Sequence, residues 1–227
     1  MTAALLLFGA LAYTAWVPEF VVRSGLDPVR TYVSELAAAD QPYGVVFRAA
    51  DLVAGLLLLA GACWGLLRSR GRWWSVTGWL GLALFGAATA ADSRLPLSCA
   101  PTVDAACAAR EDAGLVPFTH TAHAVSSSLA MAGALVAMIA LTVAARRHGD
   151  RPLLARTGPA LVAVAVLATG WTLAAITAFD AGHGVWGLGA GQRLQLLAVA
   201  VWLAVLARSE YTARDRVPDR RPLAAAR

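Results

Sequence analysis

Six long apolar stretches divide the chain, at roughly residues 2–17, 45–67, 74–91, 119–145, 157–179 and 190–207. Each offers about 16 to 27 residues with few charges, against the roughly 20 that carry a helix across about 30 Å of hydrocarbon. Strands are excluded by the length of the runs, by the lack of period-two alternation and by their Ala and Leu content. A helix also satisfies its own backbone hydrogen bonds in lipid, where water is not available to do so. The pattern therefore predicts an all-α, polytopic membrane bundle of six transmembrane helices over residues 1–207. A basic, disordered tail is expected over 208–227. The first stretch ends at Pro18-Glu19 and has no basic residue before it. It lacks both the basic segment and the small-residue cleavage site of a signal peptide, so it reads as a retained helix.

Composition sharpens the picture. Of the 227 residues, 59% are hydrophobic and 15% charged, and the mean hydropathy is +0.62. Soluble domains carry about a quarter charged residues, so an ordinary cytosolic enzyme is excluded. All 19 basic residues are Arg. Thirteen of them fall in the 2–3 loop (Arg68, Arg70, Arg72), the 4–5 loop (Arg146, Arg147, Arg151, Arg156) and the tail (Arg208, Arg214, Arg216, Arg220, Arg221, Arg227). The positive-inside rule assigns that side, and both termini, to the cytoplasm. The same distribution makes membrane lipids, rather than nucleic acid, the expected partner of the basic charge. Trp73 and Trp74 follow Arg72 where an interfacial aromatic belt would lie.

The opposite side carries Glu19, Asp27, Glu35, Asp40, Asp92, Asp104, Glu111, Asp112 and Asp180. Cys99 and Cys107 stand eight positions apart in the polar 3–4 loop, a spacing that suits a disulfide on an oxidising side and matches no zinc ribbon. Cys63, within the second stretch, reads as an inert small apolar residue. Unusual polar residues gather at the same helix ends. His120 and His123, spaced i and i+3, share a helix face with Ser127 one turn deeper. Two imidazoles so placed can hold zinc, completed by Asp92, His183 or Glu35, or can simply hydrogen-bond neighbouring loops. Arg48 and Asp51, also i and i+3, read as an ion pair at the membrane edge. Asp51 doubles as a candidate functional group, because ionisable residues within a membrane are costly. Gln192 and Arg193 open the sixth helix. There Arg193 either anchors at the headgroups or grips an anionic group bidentately. Gly187-Leu188-Gly189-Ala190-Gly191 has no preceding strand, fails as a phosphate loop and reads as a flexible entry to that helix. The Ser126-Ser127-Ser128 run reads as helix-packing polar contacts, and Ser34 as a loop or capping residue.

Together, Ser34-Glu35-Leu36, Asp92 closing the third helix, His120 and His123, the basic 4–5 link and Gln192-Arg193 resemble the bacterial membrane family called domain of unknown function 998. The Cys99–Cys107 loop, with Asp104 and Arg110-Glu111, resembles its actinobacterial branch. The resemblance runs over roughly residues 5–207. It implies six helices in one bundle at the plasma membrane and no established activity.

Two functions follow as expectations. One is a non-enzymatic protein that binds a lipid or small molecule in a polar outer-side pocket, or assists envelope assembly. A transporter is disfavoured by the lack of an inverted repeat or a pair of broken helices. The other is a metal-dependent hydrolase or transferase acting on a lipid at the outer leaflet. In that case His120 and His123 would hold the metal and Asp92 or His183 would complete or orient it. Glu35 or Asp51 would act as base. Either way, Asp92, His120, His123, His183 and Arg193 are expected to converge on one pocket.

Overall fold

The computed structural model describes residues 1–22, 24–69 and 71–215, less the side chains of 214 and 215. Its helices are α1 (Thr2–Tyr13), α2 (Gly44–Leu67), α3 (Trp73–Asp92), α4 (Ala105–Asp112), α5 (Phe118–His148), α6 (Pro152–Asp180) and α7 (Leu188–Asp215), with 3-10 turns at Val17–Phe20 and Val33–Ala37. No strand forms among the described residues. Among the described residues, six segments are long and apolar enough to cross a membrane: α2, α3, α5, α6, α7, and α1 continued through its 3-10 turn to Phe20. The short α4 lies outside that set. It is capped by Asp104, whose Oδ1 accepts from the Ala106 N–H at 2.9 Å.

The six long helices form a ring in chain order. Each packs on its neighbours in sequence, and α1 closes the ring by touching both α2 and α7. Small residues let the backbones meet. A Cβ added at Gly55 would lie 2.6 Å from the Gly86 carbonyl oxygen, and one at Gly133 would lie 2.8 Å from that of Gly81. Without a hydrophobic force between helices in lipid, such close van der Waals packing is what holds α2 to α3 and α3 to α5. The outward faces are apolar, with Leu167 74% exposed and Val45 70% exposed.

Alternating helix direction sorts the loops into two ends. The arginine end joins α2 to α3 and α5 to α6. Its ties are Arg72–Asp150 at 3.2 Å and the less exposed Arg151–Glu210 pair at 2.6 Å. Trp73 and Trp74 stack there at 3.8 Å, and Arg147 lies over the Trp74 ring at 5.3 Å. The half of the ring toward this end is filled by Trp79, Met138, Leu141, Leu154, Trp202 and Leu206, all buried. The Trp202 indole donates to the Thr142 hydroxyl at 3.2 Å.

Two details differ from the expectation. The last helix does not end at 207 but runs to Asp215, because Glu210 is pinned by Arg151 and the sequence there has no breaker. The expected disordered tail beyond it, with Arg216, Arg220, Arg221 and Arg227, lies outside the described residues, as does Arg70. Gly187–Gly191 is not a flexible entry, since α7 begins at Leu188. A Cβ at Gly189 would sit 2.5 Å from the carbonyl oxygens of Pro28 and Thr31, so this glycine serves close packing. Cys63 is a free thiol on the exposed side of α2.

Candidate functional site: a roofed cavity at the acidic end

At the end opposite the arginines, the long segment between α1 and α2 folds back over the mouth of the ring. Buried polar side chains hold it there. Arg193 on α7 grips Glu19 bidentately, Nε to Oε1 at 2.5 Å and Nη2 to Oε2 at 2.6 Å. Its Nη1 donates to the Thr31 carbonyl at 2.8 Å and to Gly189 at 3.1 Å. Both charged residues are buried, Arg193 at 6% and Glu19 at 5% exposed. The anionic partner anticipated for Arg193 is thus supplied by the chain itself. Gln192 Oε1 accepts from the Val33 N–H at 2.6 Å. Arg48 does not pair with Asp51. Its Nη1 reaches the other way, donating to the Ala37 carbonyl at 2.6 Å. The reason is position: Arg48 sits near the start of α2, beside the open carbonyls that end the Val33–Ala37 turn, whereas Asp51 lies deeper.

Glu35 ties this roof to the loop between α3 and α5. It accepts from the Tyr32 N–H at 3.0 Å, the Thr102 N–H at 2.8 Å and the Thr102 hydroxyl at 2.5 Å. Burial raises its carboxyl above the usual range. The Thr102 and Tyr32 hydrogen bonds and the Arg193 charge offset only part of that shift. Thr102 is itself held inside the Cys99–Cys107 disulfide, and the Ala39 N–H donates to the Leu97 carbonyl at 2.8 Å.

The two histidines turn to different partners. His120 is buried, and its Nδ1 accepts from the Ser98 N–H at 3.1 Å while contacting Ser98 Oγ at 2.9 Å. Its Nε2 faces Glu111 at 3.5 Å. His123 Nδ1 lies 3.1 Å from Asp92 Oδ1 and 3.0 Å from the Leu95 carbonyl. Both neighbours are acceptors, so Nδ1 carries the proton. Its Nε2 faces Ser127 Oγ at 3.2 Å. The Asp92 carboxylate also accepts from the hydroxyls of Ser126 and Ser127, the latter at 2.9 Å. Of the five residues expected to converge, then, Asp92 and His123 meet. Arg193 and His120 hold separate loops. His183 is exposed in the α6–α7 turn, where its carbonyl accepts from the Trp186 indole at 3.1 Å. Among the described residues, no group of three or more His, Cys, Asp and Glu is arranged to hold a metal.

Beneath the roof, the ring encloses a cavity of about 440 Å³. Val33, Ser34 and Ala37 of the roof cover it, Asp51 and Asp92 stand at its upper wall, and Met131, Leu135 and Leu196 line it deeper. Asp51 lines this space, and among the described residues no hydrogen bond reaches its carboxylate. On one side the wall is open. The lining residues Ser128 and Ala132 on α5 and Leu173 on α6 are exposed on the lateral surface. Sequence reasoning did not single out Glu19, Trp16 or Thr102. Only an acidic residue set in the apolar run before Phe20 hinted at Glu19.

These features define a class: a multi-pass helical membrane protein whose ring encloses a carboxylate-lined cavity under a pinned loop. The family described as Protein of unknown function (DUF998) matches residues 6–209, and the chain belongs to it. No curated protein and no solved structure matches the chain.

Proposed function

We propose that this protein binds one amphipathic molecule from the membrane inside its helix ring, and that it does so without chemistry of its own. The cavity carries this reading. It is polar under the roof, apolar toward the middle, closed above by the pinned α1–α2 segment, and open sideways between α5 and α6. A volume of this order lies in the range of small-molecule sites, about 300–1,000 Å³, which are mostly apolar with a few placed polar groups. A lipid-like molecule gains on both counts, leaving its chain in hydrocarbon and its head among Asp51, Asp92 and the hydroxyls. The metal-dependent reading gains no support from the two imidazoles, because His120 turns to Ser98 and His123 to Asp92 and Leu95.

The arginine distribution supports an orientation with the roof outside the plasma membrane and both termini in the cytoplasm. Reporter fusions after residues 70 and 105 should then show opposite sidedness. Native mass spectrometry of protein released from membranes in a neutral detergent tests the binding. One retained amphiphile per chain is expected, and it should be lost in Ala132→Trp, which fills the lateral opening. Retention of the same molecule by the Trp variant would refute the cavity as its site.

A further inference from the structure

We infer that the cavity selects a cationic head, an alkylammonium group held against Asp51 with its chain leaving between α5 and α6. The inference rests on the binding role just proposed. Two carboxylates line the cavity, and among the described residues no Arg or His does. The two acids are not equivalent. Asp92 is already satisfied by Ser126, Ser127 and His123. Asp51 lines the same space, and among the described residues no hydrogen bond reaches its carboxylate. A half-buried carboxylate without a donor is unfavourable until a cation or donor reaches it. A phosphate or carboxylate head would bring a negative charge beside two acidic side chains. A bare metal ion would find too few ligands, since no group of three is present among the described residues. An organic ammonium needs fewer.

Two further features fit that head. Tyr13, Trp16 and Phe47 line the same end of the cavity, and aromatic faces attract ammonium groups. The Trp16 indole Nε1 is buried and has no hydrogen-bond partner among the described residues, although Trp16 is only 8% exposed. A buried indole N–H ordinarily finds an acceptor. A hydroxyl or ester oxygen placed beside the ammonium would supply one.

Equilibrium dialysis of the full chain in a neutral maltoside detergent, with chain-matched probes, tests the inference. The probes are decyltrimethylammonium, decyl(2-hydroxyethyl)dimethylammonium, decanol and decanoate. The ammonium probes should bind one per chain and at least about tenfold more tightly than decanol, a step of 1.4 kcal/mol. Decanoate should bind weakest. Asp51→Asn, nearly isosteric, should erase the preference for ammonium over alcohol. Trp16→Phe should erase the preference for the hydroxyl-bearing ammonium over the plain one. Equal binding of ammonium and alcohol by the wild type, tighter binding of decanoate, or an unchanged preference in Asp51→Asn would each overturn the cationic assignment and leave the cavity as a binding site. Binding of none of the four would overturn the binding role as well. If the Asp51→Asn chain does not fold, the ranking of probes by the wild type decides.

Discussion

Removing the Arg193 guanidinium is the sharpest test of how the roof is held. In Arg193→Ala, Glu19 stays buried at 5% exposure and loses both of its short bonds to Nε and Nη2. Breaking a buried pair from one side costs about 3–5 kcal/mol, because the remaining charge is uncompensated. The carbonyls of Thr31 and Gly189 lose their donor in the same step, adding about 1 kcal/mol. Roughly 2–4 °C per kcal/mol applies to a chain of this size, so the midpoint of thermal unfolding should fall by about 8–24 °C. The eight Trp residues supply the fluorescence readout in detergent. Glu19→Leu combined with Arg193→Met should recover most of the loss, since replacing both partners of a buried pair with apolar residues is often neutral or better. The resulting coupling energy should be at least about 2 kcal/mol. A single variant within about 1 kcal/mol of wild type, or strictly additive single and double variants, would refute the view that this pair fastens the roof.

Other consequences follow from the same geometry. The native peptide containing Cys99 and Cys107 should be two hydrogens lighter than the dithiol. Replacing both residues with Ser should lower stability by about 2–3 kcal/mol, and alkylation of both thiols without prior reduction would contradict the bond. Gly189→Ala should destabilise by about 1–3 kcal/mol by overpacking, because its Cβ meets two backbone oxygens at 2.5 Å; a neutral result would show that the roof is not seated there. Glu35 has a folded carboxyl raised above its ordinary value. Its linkage term therefore favours folding at low pH and is lost as pH rises from the ordinary range through the raised folded value. Wild type should lose stability relative to Glu35→Gln over that window, read as melting midpoints between about pH 4.5 and 8; a constant difference would refute the shift.

The membrane class was legible from the sequence because it depends on local sums. Apolar length and the clustering of Arg68, Arg72, Arg146, Arg147 and Arg151 do not depend on which helices touch. The Cys99–Cys107 pair was legible for a similar reason, being close along the chain. The resemblance carried by Asp92, the two histidines and Gln192-Arg193 identified the family but not what those residues do. Their roles depend on partners far away in sequence: Arg193 with Glu19, Gln192 with Val33, Glu35 with Thr102. Spacing within one helix misled where a distant partner competed. Arg48 and Asp51 share a face, yet the open carbonyls of Ala37 and Ala38 take the guanidinium. His120 and His123 share a face, yet one serves Ser98 and the other Asp92. A sequence assigns residues to a helix face. Only the ring closed by α1 against α7 sets what that face meets, and it leaves Asp51 looking into the cavity.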